Sequence, residues 1–134
     1  MPIRATDQSA GYDLLSTQHI EKLRPMHKVT IETGLTLTMP PNYTALITTR
    51  SGLAKRKGLI VLNSPGIIDA DYEGTLKVIL LNTSQETIEI KLYERIAQLL
   101  LVELPPHTIT SNYPIRVIRK LRSTQGLGST DDID

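Results

Sequence analysis

Apolar residues recur along this chain mainly with a period of two, the signature of strands with one buried face, and this constrains the fold more than anything else. Leu35, Leu37 and Met39 alternate with Thr36 and Thr38, and Pro40-Pro41-Asn42 then supplies a turn. Ile88, Ile90 and Leu92 alternate with Glu89 and Lys91 in the same way. Near-continuous apolar runs at residues 59–62, 76–81 and 96–102 read as strands buried on both faces. Further strands are expected at 43–49 and 115–118. Turn signals recur at Gly34, Asn42, Gly58, Ser64-Pro65-Gly66, Gly74, residues 82–85 and Pro105-Pro106. Many short strands at this spacing predict an all-β barrel or sandwich. One short helix is expected at residues 52–57, with Ser51 placed to cap it.

The length of 134 residues suits one domain with its own core. With no cysteine, the chain has no disulfide framework, thiolate metal site or cysteine nucleophile. All five aromatic residues are Tyr, so the core must rest on Leu, Ile and Val. A net charge of +1 argues against a broad electrostatic grip on nucleic acid or an anionic membrane. No apolar run is long enough for a membrane-spanning helix. The N-terminal MPIRATDQS lacks the apolar middle of a signal peptide, so the expected location is inside a cell. The chain ends in RSTQGLGSTDDID, residues 122–134, which are small and polar. A tail of that kind is expected to be mobile unless something orders it.

Several segments can carry chemistry. Arg50-Ser51-Gly52 follows a strand and opens the short helix, where N–H groups, a hydroxyl and a guanidinium make an anion site. Taken alone, the simpler reading is a helix cap beside a solvated Arg, with Lys55, Arg56 and Lys57 on a solvated face. Asn63-Ser64-Pro65-Gly66-Ile67-Ile68-Asp69-Ala70-Asp71-Tyr72 joins two apolar strands. Asp69, close behind two β-branched residues, can sit in a partly dry pocket, where a carboxylate orients and deprotonates a water. Asn63 offers a donor and an acceptor, which suits a base edge. The bland alternative makes Asp69 and Asp71 turn formers. Asp13, in AGYDL, stands at the start of a strand; one acid is a weak metal signal, though Mg²⁺ often takes few carboxylates plus substrate phosphates. Gln98 lies inside an apolar strand and must find either a backbone or a ligand partner. The three His residues are scattered and read as surface.

In order and spacing, AGYDL, RSGLA, NSPGIIDADYEG, RIAQLL and RSTQGLGST resemble the five motifs of the trimeric dUTP diphosphatases (dUTPases). The resemblance runs from Ala10 to Thr130. It implies a jelly-roll β-barrel over residues 1–121 with a flexible C-terminal arm at 122–134, and a homotrimer with three active sites at protomer interfaces. It implies Mg²⁺-dependent hydrolysis of dUTP to dUMP and pyrophosphate, which keeps uracil out of DNA, with no direct binding to nucleic acid or membrane. Asp69 would activate the water that attacks the α-phosphorus. Tyr72 would pack under the deoxyribose and exclude a 2′-hydroxyl. Asn63, with the backbone of Ile67 and Ile68, would read uracil in a hairpin too narrow for the methyl of thymine. Arg50, Ser51 and Gly52 would hold the phosphates, helped by Gln98, while Asp13 would bind Mg²⁺ through its waters. Lys77 stands where the family contacts substrate. Arg122, Leu127, Ser129 and Thr130 would close over a neighbouring protomer's site.

Two motifs depart from the family pattern. In the fifth, Ser123 replaces a glycine, Leu127 stands where an aromatic ring stacks on uracil, and Asp131 replaces a glycine. In the fourth, Tyr93-Glu94 stand where glycine-aspartate is usual. Activity with weakened substrate affinity is therefore expected. A non-catalytic nucleotide-binding or structural trimer of a viral or retroelement assembly is the alternative, and would place the protein in a particle rather than the cytoplasm or nucleus. A dCTP deaminase of the same fold would need an extra acid/base group at the exocyclic amine of the pyrimidine, and the sequence shows no extra Glu in the base-reading hairpin.

Overall fold

A computed structural model of the protein describes residues 3–112. Nine strands and one helix follow in the order β1 Tyr12–Leu15, β2 Ile20–Leu23, β3 Lys28–Glu32, β4 Tyr43–Thr48, α1 Ser51–Lys57, β5 Leu59–Val61, β6 Gly66–Ile68, β7 Lys77–Asn82, β8 Ile88–Ile90 and β9 Arg95–Glu103. Three sheets result: β1-β9-β4-β6, β2-β8 and β3-β7-β5. Every pairing is antiparallel. The core between them is aliphatic, with Leu14, Ile31, Leu59, Leu80, Ile90 and Ile96 fully buried. Each such side chain stabilises the fold by about 2 kcal/mol. Asn82 is buried as well, and its amide donates to Leu23 O at 2.9 Å and Glu86 O at 2.7 Å. Among the described residues, no helix is long and apolar enough to cross a membrane.

The runs expected at 43–49, 59–62, 76–81 and 96–102 are strands β4, β5, β7 and β9. The double-sided burial expected of three of them is not found. β7 alternates buried and half-buried residues, and β9 ends on an exposed Leu101-Val102-Glu103. Among the described residues, nothing fully covers those outer faces. Residues 35–39 are not a strand. Leu35, Leu37 and Met39 pack against the core, and Leu35 O accepts one bond from Leu76 N at 2.8 Å, yet no ladder forms. A period of two reports an extended segment with one face inward, and it does not require a partner strand. β2, β3 and β6 have no counterpart among the expected strands: all are short, and charged residues interrupt the first two. The strand expected at 115–118 lies outside the described residues.

Ser51 is the first helical residue rather than the cap. Arg50 holds the N-cap position with extended backbone and no side-chain capping bond. The helix ends on Gly58 at φ 65°, whose N–H returns to Ala54 O at 2.9 Å, the usual left-handed glycine stop. The three His residues are exposed, as expected. His19 Nε2 lies 2.6 Å from Glu89 Oε2, and this hydrogen bond holds the Glu89 carboxyl below its usual value.

The altered turn before β9 has a local cost. Tyr93 adopts φ 65° and is 68% exposed, so its ring gains little burial for a left-handed backbone that suits glycine. Glu94 compensates in part, accepting from Lys91 N at 2.9 Å and from Lys57 Nζ at 2.8 Å. Tyr93→Gly is expected to raise stability by about 0.5–1 kcal/mol, the left-handed strain relieved less the extra chain entropy of glycine. A denaturant titration reads this directly, as a higher midpoint at unchanged slope.

Candidate active site

The central strand β9 gathers one group of polar residues. Gln98 is paired with Asp13 of β1 on one side and with Thr48 of β4 on the other. Asp13 is buried, and its Oδ1 accepts from Arg50 Nε at 3.0 Å while Oδ2 lies 3.7 Å from Arg95 Nε. Arg50 also reaches Arg95 O at 3.4 Å through Nη1. Gln98 Nε2 donates to Thr49 O at 3.4 Å, so its partner within the chain is a backbone carbonyl. A Cβ on Gly11 would come within 3.0 Å of Gln98 Oε1, so glycine there makes room for this side chain. Ser51 and Gly52 are exposed at the start of α1. The first intrahelical bond runs from Ala54 N to Arg50 O, which leaves the N–H groups of Ser51, Gly52 and Leu53 without helical partners. Among the described residues, a Cβ on Gly52 would meet nothing within 4 Å, so their packing gives no reason for glycine at that position.

A second group is built on β6 and the turn after it. β6 pairs with β4 through Ala45↔Ile68, Leu46↔Ile67 and Ile47↔Gly66, and it is the outermost strand of its sheet. β5, just before it in sequence, is the outermost strand of another sheet. Among the described residues, each of these two strands therefore has one backbone edge without a partner strand beside the hairpin. Asn63 is exposed in its turn, and its Nδ2 lies 3.3 Å from where a Cβ on Gly66 would stand. Ile67 is exposed and Ile68 half-buried. Asp69 follows the last residue of β6 and is half-buried, at the edge of an open apolar groove of about 620 Å³ bordered by Met39, Tyr43, Leu46, Ile67 and Leu104. Tyr72 N donates to Asp69 O at 3.1 Å, which closes the turn. The Tyr72 ring is buried and its hydroxyl donates to Thr75 O at 2.7 Å. A Cβ on Gly74 would stand 2.4 Å from that hydroxyl, so only glycine fits under the ring. Thr75 Oγ1 in turn donates to Glu32 Oε1 at 3.4 Å, and Lys77 Nζ lies 4.0 Å from the same oxygen.

The two groups stand apart within one chain. Ile68 is level with Ala45 on β4, whereas Gln98 is level with Thr48 and lies two strands away from β6. At ordinary strand rise and spacing, Asp69 is therefore roughly 15–20 Å from the Asp13–Arg50–Gln98 group. The two groups therefore do not converge on one point within a single chain. Arg122, Leu127, Ser129 and Thr130 lie outside the described residues. Among the described residues, no three His, Asp or Glu side chains converge as a metal cage. Asp13 is a lone carboxylate, and that fits Mg²⁺ carried mainly by substrate phosphates and its own waters.

The sequence reading missed two hydroxyls that tie the hairpin down. Thr44 Oγ1 donates to Ile68 O at 2.9 Å, and Thr49 Oγ1 accepts from Val61 N at 2.9 Å. Threonine in a strand is commonplace, and its partners here are 12 to 24 residues away, so no local signal marks them.

A model of the dUTPase family matches residues 1–131. The chain is 45% identical over 102 residues to a deoxyuridine 5′-triphosphate nucleotidohydrolase of Hydrogenobaculum sp., a match covering 76% of this chain and 71% of that protein. It is 40% identical over 132 residues to the enzyme of the same name from Ehrlichia canis, covering 97% of this chain and 86% of that one. Among solved structures, the dUTPase of Streptococcus mutans superposes with a TM-score of 0.74 at 26% identity, over 81% of this chain and 88% of that chain. The jelly-roll fold expected from the resemblance is thus the fold of the chain. Motif order, β architecture and similarity along nearly the whole length agree, and this chain belongs to the dUTPase family.

Proposed function

We infer that this protein hydrolyses dUTP to dUMP and pyrophosphate. The observation that carries the reading is the place of Asp69: half-buried and immediately after β6, which among the described residues is an edge strand. A carboxylate so placed can orient a water and take its proton as the oxygen attacks the α-phosphorus. The edge of β6 can offer backbone donors and acceptors to uracil, with Asn63, Ile67 and Ile68 around it. The buried Tyr72 ring, held by Thr75 and backed by Gly74, is a rigid floor for a deoxyribose. Rejection of a 2′-hydroxyl there would come from a clash rather than from extra attraction. Lys77, held near Glu32, adds a positive charge close to this floor.

Arg50, Ser51 and Gly52 would take the phosphate chain. Packing among the described residues does not require the glycine, and close approach of a phosphate to bare backbone would account for it. Gln98 would add an amide, and Asp13 would hold the waters of a phosphate-bound Mg²⁺. When bound, that ion neutralises charge on the phosphates as the bond breaks. Asp13 also fixes the Arg50 guanidinium, so the two residues act as one unit.

Because Asp69 and the phosphate-binding group are far apart in one chain, a complete site needs a second copy. The homotrimer of the family meets that requirement, and the exposed Ile67, Leu101, Val102 and Leu104 supply apolar surface for association. A substrate drawn from the free nucleotide pool suits an intracellular protein. Arg122, Ser129 and Thr130 would complete the phosphate contacts, and Leu127 would replace a stacking ring. Leu127→Phe is expected to lower KM for dUTP about tenfold, in line with the stacking energy of one base on an aromatic ring. Steady-state kinetics at fixed Mg²⁺ would show it.

The reading as a whole is tested by pyrophosphate release from dUTP, dTTP, dCTP and UTP with Mg²⁺ present. Turnover of dUTP alone is expected. Tight binding of dUTP without turnover would instead favour a non-catalytic member of the family.

A further inference from the structure

We propose that Thr49 is a positioning residue that sets the width of the base-reading slot, and through it the preference for uracil over thymine. This rests on the dUTPase reading above. β5 and β6 are consecutive in the chain, yet β5 pairs with β7 and β6 pairs with β4. Among the described residues no ladder joins β5 to β6; the turn between them carries a backbone bond from Ser64 N to Val61 O at 3.1 Å, and beyond that turn their separation is not set by strand pairing.

Both arms are instead referred to β4. The β6 arm is fixed to it by the ladder from Ala45 to Ile47, reinforced by the hydrogen bond from Thr44 Oγ1 to Ile68 O at 2.9 Å. The β5 arm reaches β4 through Thr49, the residue after the strand ends. Thr49 Oγ1 accepts from Val61 N at 2.9 Å, and Thr49 N donates to Ser64 Oγ at 3.2 Å in the turn. The Thr49 carbonyl is itself held by Gln98 Nε2 at 3.4 Å. One residue therefore anchors the end of β5 and the turn, and its backbone is tethered to β9.

Selection against one methyl group depends on a wall that does not yield, because a single methyl carries little energy in a pocket that can relax. Releasing the β5 arm would let the slot widen. The chemistry at Asp69 would be untouched, because that residue is held from the β6 side.

Thr49→Val keeps the shape of the side chain and removes the acceptor for Val61 N. The expected result is an increase of about tenfold in KM for dUTP, from one lost, partly buried hydrogen bond. Discrimination between dUTP and dTTP in kcat/KM should fall by a similar factor, with kcat for dUTP within about twofold of wild type. Thr49→Ser should restore both quantities, because it returns the hydroxyl. Ser64→Ala, which removes only the turn contact, should relax discrimination less, by about threefold. It carries the test if the valine variant fails to fold. Binding of a non-hydrolysable dUTP analogue, measured by calorimetry, should weaken in parallel with the change in KM.

Wild-type selectivity in every folded variant of the pair Thr49→Val and Ser64→Ala, with wild-type protein active, would overturn this role for Thr49 alone. A fall in kcat and kcat/KM by equal factors would also overturn it, since that pattern marks damage to the chemical step. Wild-type protein that neither binds nor hydrolyses dUTP would overturn the dUTPase reading itself.

Discussion

Asp69→Asn is expected to reduce dUTP turnover about a thousandfold, the middle of the range for loss of a general base. The amide keeps the size of the side chain but cannot take a proton from water at neutral pH. The exchange is isosteric, so the fold is expected to be kept, which a circular dichroism spectrum checks. Affinity for a non-hydrolysable dUTP analogue should also be little altered, because the base, sugar and phosphate contacts proposed here involve other residues. Pyrophosphate release and analogue binding, measured on the same preparation, separate the two effects. If Asp69→Asn kept more than a tenth of wild-type turnover, the attacking water would have to be activated by another group.

Mixing two inactive variants should restore activity, and this is the sharper test of how the site is assembled. Arg50→Gln removes the guanidinium that pairs with Asp13 and is expected to lower turnover at least a hundredfold, as for other preorganised charge donors. Asp69→Asn is inactive for a different reason. Within one chain the two residues belong to groups roughly 15–20 Å apart, so one triphosphate would draw them from different copies. When equal amounts are unfolded together and refolded, half the hairpins carry an intact Asp69 and half the phosphate sites an intact Arg50. Random assembly of a symmetric ring then leaves about a quarter of the sites with both, hence about a quarter of wild-type activity. Each variant refolded alone should stay inactive. No recovery in the mixture would mean that each site is built within one copy, contrary to the geometry of β4, β6 and β9.

The chemistry proposed for the chain can be read from its sequence because each motif is local. Arg50-Ser51-Gly52, the stretch from Asn63 to Tyr72, and Ala10-Gly11-Tyr12-Asp13-Leu14 are short runs whose residue types and order need no tertiary information. The apolar runs located β4, β5, β7 and β9 for a similar reason, since a short run of apolar residues between turn signals is itself a local pattern. Alternation is silent about partners. That is why residues 35–39 look like a strand and form none, and why short, charged β2 and β3 went unseen.

Glycine gave further signals that were legible only as punctuation. Gly74 reads as a turn residue, yet the structure gives it a second duty, since a Cβ there would strike the Tyr72 hydroxyl. Gly11 likewise opens a strand in sequence and clears space for Gln98 in the fold. A residue with no side chain cannot announce whose side chain it is making room for.

The sequence by itself determined the strand-rich class, the aliphatic core, the family and the residue types of the proposed chemistry. Only the tertiary structure decided that Asp13 is held between Arg50 and Arg95, and that Asp69 lies far from both. It alone decided that consecutive strands β5 and β6 part into different sheets, with Thr49 spanning the gap they leave. The physical reason is the range of the forces involved. Hydrophobic period and turn chemistry act over a few neighbouring residues, whereas register and hydrogen-bond partners are chosen between segments that meet only when the barrel closes.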